Sequence, residues 1–257
     1  MKASQAIISG SLLLLFLLRC ACEGNDRTLF GAAPPADYLT GRFNPSGHEL
    51  FVSLADLGIP TNGRPHRLRR EAAAALKELY AAFRRDHPKA PFWVQSSTRT
   101  YNDQKYIWNG KWTGRVRVGG RDLSREIRDP VKRAVEILRY SSMPGTSRHH
   151  WGTDIDLNVL SDAYYAKGAG ALLYRWMAEN APRYGFCQPY TAGRGAGYCE
   201  EKWHWSYVPL SKQFLSRWNS VYRENPGAFS RAGLFSGSEI AGKLAAEYMN
   251  AIHDACR

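Results

Sequence analysis

Two short segments rich in histidine and acidic residues constrain this chain more than any other feature of its sequence. Residues 147–156 read Ser-Arg-His-His-Trp-Gly-Thr-Asp-Ile-Asp, and residues 201–204 read Glu-Lys-Trp-His. Together they supply the imidazoles and carboxylates that hydrolytic zinc sites use. Such sites hold the metal with three nitrogen or oxygen ligands and keep a fourth position for water. A nearby carboxylate that is not a ligand can take the proton of that water. The pattern predicts a zinc-dependent hydrolase.

The N-terminus has the pattern of an export signal. Lys2 precedes an apolar run over residues 11–18, which is too short and too poorly flanked for a stable membrane span. We therefore interpret residues 1–22 as a signal peptide and expect an exported protein of the periplasm or cell envelope. Cys20 and Cys22 leave open a lipoprotein signal and anchoring to the membrane by lipid, although Arg19 is unfavourable before a lipidated cysteine.

Length and charge limit the class of protein. The 257 residues, 44% of them hydrophobic, suit one catalytic domain with short extensions, and we expect a monomer. The net charge is +12; without residues 1–22 it is 33 basic minus 23 acidic residues, or +10. Such a charge attracts anionic polymers, of which an exported protein meets the cell wall first. No nucleic-acid-binding motif is present, so no nucleic-acid partner is expected. The basic residues are spread out, so a merely solvated surface explains them equally well.

Five cysteines in an exported chain predict at least one disulfide. Cys187 and Cys199 flank a glycine-rich loop directly before residues 201–204. Because a crosslink there would restrict the unfolded loop and steady the approach to the site, we predict the pair Cys187–Cys199. Cys256 has no evident partner in the sequence.

The chain predicts an α+β fold with a small, mainly antiparallel central sheet and helices packed on one face. Residues 23–60 have little periodicity and form an N-terminal extension, and residues 61–257 form the peptidase domain with C-terminal helices. Period-two patterns predict strands near 92–96, 153–157 and 203–208. Apolar spacing and capping residues predict helices over 65–87, from 130, over 169–181, over 209–222, and from a capping box at Ser236 and Glu239 to about 255. Residues 109–128 are expected to form a loop or short hairpin.

Side-chain alternation orders the polar residues within the predicted strands. Asp154 and Asp156 point to the same side of one strand. In the last strand His204 and Ser206 share a face, which leaves Trp203 and its aromatic neighbours for the core. One aspartate can then bind a metal while the other hydrogen-bonds a ligating imidazole.

Three ordered sequence blocks resemble one known family. They are Ser-x-His-x-x-Gly-x-x-x-Asp from Ser147, Glu-x-Trp-His from Glu201, and Ser-Ser-Thr-Arg-Thr-Tyr-Asn-Asp-Gln over residues 96–104. The chain is similar over about residues 67–208 to the VanY-like zinc D-alanyl-D-alanine carboxypeptidases. These are peptidoglycan peptidases whose fold is shared with the Hedgehog signalling domain.

The resemblance implies a role for each matching residue. His149, Asp156 and His204 match the zinc ligands. Glu201 matches the general base, which then acts as the acid that hands a proton to the leaving amine. Three further positions match groups around the substrate, which in this family is a stem peptide of peptidoglycan. Arg99 matches an arginine that stabilises the substrate carboxylate or the developing oxyanion. Ser147 and Gln104 match residues that line the substrate cleft.

Several alternatives stay open in the sequence. Asp154 can be the ligand with Asp156 in support, and His150 either reaches substrate or lies at an edge. The reaction can be removal of the terminal D-alanine, or L,D-carboxypeptidase or endopeptidase cleavage of the same peptides. The chain can also be a wall-binding module without catalytic activity. Exo-cleavage needs a cation for the terminal carboxylate, which Arg99, Arg115 or Arg117 would supply.

Overall fold

A computed structural model describes residues 26–257. The predicted signal peptide, with Cys20 and Cys22, lies outside these residues. Within them, no helix has both the length and the apolar character needed to traverse a bilayer.

The described chain contains short strands and helices of unequal length. The strands are β1 (Phe51–Ser53), β2 (Arg67–Arg69), β3 (Val94–Ser96), β4 (Asp154–Leu157), β5 (Phe186–Cys187) and β6 (His204–Tyr207). Residues 26–30 are helical, and the helices that follow are α1 (Pro35–Leu39), α2 (Arg70–Asp86), α3 (Tyr101–Trp112), α4 (Leu123–Glu126), α5 (Pro130–Leu138), α6 (Asp162–Tyr165), α7 (Gly168–Asn180), α8 (Val208–Glu224), α9 (Gly227–Ser230), α10 (Ser238–Ala241) and α11 (Ala245–Asn250). Single 3-10 turns occupy Ala55–Leu57, Arg148–Trp151, Ala181–Tyr184, Gly242–Leu244 and Asp254–Cys256.

The central sheet has the strand order β3-β4-β6-β5, and every neighbouring pair is antiparallel. Strands β1 and β2 form a separate antiparallel pair. The predicted α+β class with a small antiparallel sheet is therefore confirmed. The register between β4 and β6 sets Asp156 opposite His204 and Asp154 opposite Ser206. Because side chains of paired residues lie close together on one face, this register places the polar groups of both strands side by side.

The opposite face of the central sheet carries the first hydrophobic core. Ile155 and Trp205 project into it and pack with side chains of α2 and α7, including Phe83 and Met177. All four are almost fully buried, and burying one such apolar side chain contributes about 1.5–3 kcal/mol. Trp203 belongs to the same core. Because one face of the sheet is buried in this core, the opposite, polar face is the one on which a functional site can form.

A second core joins the N-terminal segment to the C-terminal helices. Phe30 and Tyr38, from the segment interpreted as an extension, are buried against Phe214 of α8. The Tyr38 hydroxyl donates to the carbonyl of Trp151 at 2.9 Å. The N-terminal segment therefore supports the turn that carries His149, although the boundary at residue 60 stays a prediction.

Two predicted helices differ in their bounds. The helix expected from residue 65 begins at Arg70, because residues 67–69 pair with β1. The helix expected from 236 to about 255 is broken into α10, a 3-10 turn and α11. Its predicted capping box is wrong, since Gly237 precedes α10 in the left-handed region (φ 71°) and no side chain caps that end.

One helix of the site was not predicted. Helix α3 covers residues that the sequence assigned partly to a motif and partly to a loop, and it ends only at Trp112. It begins with a capping box in which Thr100 Oγ1 accepts from the Asp103 N–H and the Asp103 carboxylate accepts from the Thr100 N–H. Such reciprocal caps satisfy donors that a helix start leaves free.

The predicted disulfide pairing is wrong. Cys187 pairs with Cys256, their Cα atoms 5.7 Å apart, and Cys199 is free. The Cys199 N–H donates instead to the carbonyl of Arg139. The glycine-rich loop is held by Arg194, whose guanidinium donates to backbone carbonyls at both ends of the loop and to that of Ala251. The disulfide therefore ties the C-terminal turn to β5, while an arginine closes the loop.

Candidate active site

His149, Asp156 and His204 converge on the polar side of the sheet. His149 comes from the 3-10 turn before β4, and the other two face each other across β4 and β6. Their nitrogen and carboxylate donor atoms lie within 4.8 Å of one another. His149 Nε2 is 3.2 Å from Asp156 Oδ2, and His204 Nδ1 is 3.1 Å from Asp156 Oδ1. All three residues are at most 3% exposed.

The donor atoms of this cluster fit a zinc ion. His149 Nε2 and Asp156 Oδ1 are buried without a hydrogen-bond partner among the described residues, an arrangement that is costly unless another group satisfies them. The outer nitrogen of each imidazole is engaged: His149 Nδ1 donates to the carbonyl of Ser97 at 2.8 Å, and His204 Nε2 pairs with Asp154 at 2.9 Å. Ligating histidines are typically oriented by such outer contacts. Two nitrogens and one carboxylate oxygen form a donor set typical of catalytic zinc.

Asp154 occupies a supporting position. Its carboxylate accepts from Arg148 Nε at 3.1 Å, from His204 Nε2 at 2.9 Å and from Ser206 Oγ at 3.0 Å. Burial raises the pKa of Asp154, but Arg148 and His204 outweigh it and hold the pKa well below its usual range. Because Asp154 is committed to the outer side of His204, the geometry favours Asp156 as the ligand.

Glu201 lies beside the cluster on the wall of a cavity of about 420 Å³. Its Oε2 is 3.5 Å from His204 Nδ1. Its backbone is fixed, since the N–H donates to the carbonyl of Tyr190 and the carbonyl accepts from Gln188. Burial raises the pKa of Glu201 to about 8. A carboxylate with a raised pKa near a metal is suited to accept and return a proton at neutral pH, and a bound cation would lower that pKa.

Arg99 and Gln104 also line this cavity, whereas Ser147 does not. The Arg99 N–H donates to the carbonyl of His149 at 3.1 Å, and Arg99 Nε is buried without a hydrogen-bond partner in residues 26–257. Gln104 Nε2 donates to the carbonyl of Ser142. Ser147 lies just before the His149 turn with its hydroxyl buried. The structure thus brings two of the three predicted substrate residues to the cavity wall.

Comparison with known proteins identifies the family of this chain. The family model described as VanY, D-alanyl-D-alanine carboxypeptidase, matches residues 65–210, more than half of the chain. The chain belongs to the VanY family. A D-alanyl-D-alanine carboxypeptidase of Enterococcus faecalis is 29% identical over 176 residues, covering 67% of this chain and 58% of the relative. An uncharacterized protein of Haemophilus influenzae is 33% identical over 81 residues, covering 26% of this chain and 60% of the relative. This chain therefore spans about three fifths of the curated relatives it matches.

Two solved structures are similar at lower identity. One is the LdcB LD-carboxypeptidase, with 22% identity, a TM-score of 0.47, and coverage of 70% of this chain and 76% of that chain. The other is a mutant of the vancomycin resistance D,D-pentapeptidase VanY in complex with Zn(II), with 24% identity, a TM-score of 0.44, and coverage of 63% and 83%.

His150 has a structural role in this VanY-family chain. It is fully buried, so the edge position that the sequence left open is not observed. Nδ1 donates to the carbonyl of Arg99 at 2.7 Å, and Nε2 accepts from the Gly145 N–H at 3.1 Å. Burial lowers the pKa of His150 to about 3. The neutral ring therefore ties the Arg99 segment to the turn before the metal cluster.

The candidate cations Arg115 and Arg117 do not line the cavity of this VanY-family site. Arg115 lies over the ring of Tyr106, 4.0 Å from its centroid, and Arg117 donates to the carbonyl of Gly120. Two cavity cations that were not identified from the sequence are Lys111, at the end of α3, and Arg148, which is paired with Asp154. For Lys111, the spacing of seven residues from Gln104 was the available signal, but it is meaningful only once that segment is known to be helical. Further cavity residues without a sequence signal include Tyr140, Asp162, Tyr190 and Tyr198.

Proposed function

We propose that this chain is an exported zinc peptidase of bacterial peptidoglycan that removes the terminal D-alanine from stem peptides. One observation carries the proposal: the donor atoms of His149, Asp156 and His204 converge within 4.8 Å, and Glu201 stands beside them on the wall of one cavity. Membership of the VanY family gives this arrangement its reaction class.

His149, Asp156 and His204 would hold zinc. When bound, zinc supplies Lewis acidity that activates water and polarises the substrate carbonyl. Glu201 is the group that takes the proton of the attacking water and returns it to the leaving amine. Its burial and its raised pKa suit both directions of that transfer.

Arg99 is proposed to stabilise the negative charge that develops on the scissile carbonyl oxygen. Arg99 lines the cavity and its backbone N–H donates to the carbonyl of His149. Preorganised charge of this kind acts most strongly in the transition state. Gln104 is proposed to line the substrate cleft. Ser147 is proposed to support the His149 turn, since it does not line the cavity.

The proposed setting is the cell envelope. The signal peptide inferred at residues 1–22 supports export, and a calculated mature charge of +10 supports attraction to anionic wall polymers. A non-catalytic wall-binding module is less well supported, because Glu201 is buried in position beside the metal cluster and such a module has no use for a base.

Incubation of the zinc-loaded protein with purified pentapeptide and tetrapeptide muropeptides, followed by mass spectrometry, tests the proposal. Loss of one alanine from the pentapeptide is the expected result. Loss of alanine only from the tetrapeptide would replace the proposal by L,D-carboxypeptidase activity, and a cut within the stem would replace it by an endopeptidase. The matched control is Glu201→Gln, which should retain zinc and lose turnover by roughly two to four powers of ten.

A further inference from the structure

Besides Arg99, and Arg148 that is paired with Asp154, the cavity wall carries Lys111, a cation for which the proposed mechanism has no role. Lys111 lies in the last turn of α3 and is partly buried. It lines the same cavity as Arg99, Gln104 and Glu201. Gln104 and Lys111 are seven residues apart, close to two helical turns, so α3 presents both from one side.

Lys111 keeps donors available. Its Nζ donates to Ser141 Oγ, and within residues 26–257 it forms no ion pair within 4 Å. An ammonium group has three N–H donors and no acceptor, so at least one donor remains for a ligand. Burial and the neighbouring Arg99 lower the pKa of Lys111, whereas Glu201 raises it. Such a half-desolvated cation gains from an anionic partner more than a solvated one does.

Arg99 and Lys111 are anchored at different points of the cavity wall. The Arg99 backbone N–H is hydrogen-bonded to the carbonyl of His149, and the positive charge of Arg99 lowers the pKa of both His149 and Glu201. Lys111 is held instead by its hydrogen bond to Ser141, and its charge acts on Glu201. Arg99 is therefore anchored beside the metal cluster, and Lys111 is anchored at Ser141 on the cavity wall that Glu201 also lines.

The side of Glu201 is the side of the leaving group, because Glu201 must deliver a proton to the leaving amine. In an exopeptidase reaction the leaving group is the C-terminal amino acid, which carries a free carboxylate. We infer that Lys111 binds this terminal carboxylate and so determines that the enzyme removes the last residue of a peptide. The inference rests on the proposed function and deepens it by naming the residue that recognises the free carboxylate of the substrate.

The experiment compares two substrates on the zinc-loaded full chain: a peptide ending in D-alanyl-D-alanine as the free acid, and the same peptide as its C-terminal amide. Lys111→Met should raise KM for the acid and lower the acid-to-amide ratio of kcat/KM roughly tenfold to hundredfold, as for loss of a hydrogen bond to a charged group. Lys111→Arg should restore part of the ratio.

Two further variants control for charge and folding. Lys105→Met removes one positive charge from the same helix at a residue that does not line the cavity, and it should leave the ratio unchanged. Lys111→Gln keeps a donor toward Ser141 and should lower the ratio, so the test does not depend on the methionine variant folding. Zinc content and the thermal unfolding midpoint identify any variant that has lost its structure.

The outcomes separate this inference from the proposed function. Alanine release by the wild type, combined with an unchanged acid-to-amide ratio in both Lys111→Met and Lys111→Gln, overturns the role of Lys111 alone. Equal losses on acid and amide also overturn it. Failure of the wild type to release alanine from either a pentapeptide or a tetrapeptide overturns the proposed function and this inference together.

Discussion

Asp154 and Asp156 contact opposite nitrogens of the same imidazole. Asp156 Oδ1 lies 3.1 Å from His204 Nδ1, and Asp154 Oδ1 lies 2.9 Å from His204 Nε2. The two aspartates stand two residues apart on β4 and so project from one face. His204 pairs with Asp156 across the sheet. The same strand therefore provides both a metal-facing carboxylate and the carboxylate that orients its neighbour.

The first prediction concerns these two carboxylates. Asp156→Asn should lose stoichiometric zinc, because it removes the only proposed oxygen ligand. Asp154→Asn should keep zinc but bind it about tenfold to hundredfold more weakly, the usual effect of losing a carboxylate that orients a ligating histidine. Competition with a chromophoric chelator measures both affinities, and Glu201→Gln is the control that removes a neighbouring carboxylate without removing a ligand. Normal zinc binding by Asp156→Asn would instead make Asp154 the ligand.

The second prediction concerns proton release on metal binding. Burial lowers the pKa of His204, but the hydrogen bond to Asp154 and the negative charges of Asp154 and Asp156 outweigh it and raise the pKa to about 9 in the metal-free protein. At pH 7 the ring is therefore protonated, whereas a zinc ligand must be neutral. Zinc binding at pH 7 should release about one proton from His204 and up to about one more from Glu201, whose pKa of about 8 a bound cation lowers. Glu201→Gln removes the second contribution and leaves that of His204, and zinc affinity should rise as the pH approaches 9. Calorimetry in buffers of different ionisation enthalpy counts the protons. An affinity that does not change over about pH 6 to 9 would contradict the prediction.

Much of the site followed from the sequence because its strands have unlike faces. Ile155 between two aspartates, and Trp205 between His204 and Ser206, gave the alternation that predicted both strands. Alternation does not say which strands pair, however. The register of Asp156 against His204 depends on contacts between segments far apart in the chain, and only the family resemblance implied that these residues meet.

Helix α3 and the disulfide were missed for physical reasons. The buried residues of α3 include the polar Gln104, so the apolar stripe that would indicate a helix in the sequence is interrupted. Lys111 stayed unrecognised as a consequence. The partner of Cys187 is a residue of the C-terminal turn, and nothing local in the sequence brings Cys256 back to β5. Cys199 was nearer in sequence, but its backbone is bonded to Arg139 on another element.

The third prediction uses the two kinds of cysteine. Cys256→Ser should lower the free energy of unfolding by about 2–4 kcal/mol, because the Cys187–Cys256 bond restricts a long segment of the unfolded chain. Cys199→Ser is the matched control and should change it by less than about 0.5 kcal/mol. Urea unfolding, with and without reductant, measures both. A peptide map that links Cys187 to Cys199 would contradict the pairing seen here.

The fourth prediction concerns the stability of the metal-free protein in acid. His150 must be neutral in the folded state, because Nε2 accepts from the Gly145 N–H while Nδ1 donates to the Arg99 carbonyl. Burial lowers its pKa from 6.5 to about 3. When the pH lies between these two pKa values, His150 binds a proton in the unfolded chain but not in the folded chain. The contribution of the ring to the free energy of unfolding therefore falls as the pH decreases, by up to about 1.4 kcal/mol per pH unit.

His150→Gln removes this titration and isolates its effect. At pH 7.5 the variant should be less stable than the wild type by about 1–3 kcal/mol, since it disturbs two buried hydrogen bonds. At pH 5 the difference in unfolding free energy should have shrunk by about 2 kcal/mol, because only the wild type is penalised by protonation of its unfolded state. The other histidines titrate in both proteins and cancel in the difference, which urea unfolding at the two pH values measures. A difference that stays constant would mean that the ring is protonated at pH 5 in the folded protein, and Nε2 could then not accept the hydrogen bond from the Gly145 N–H.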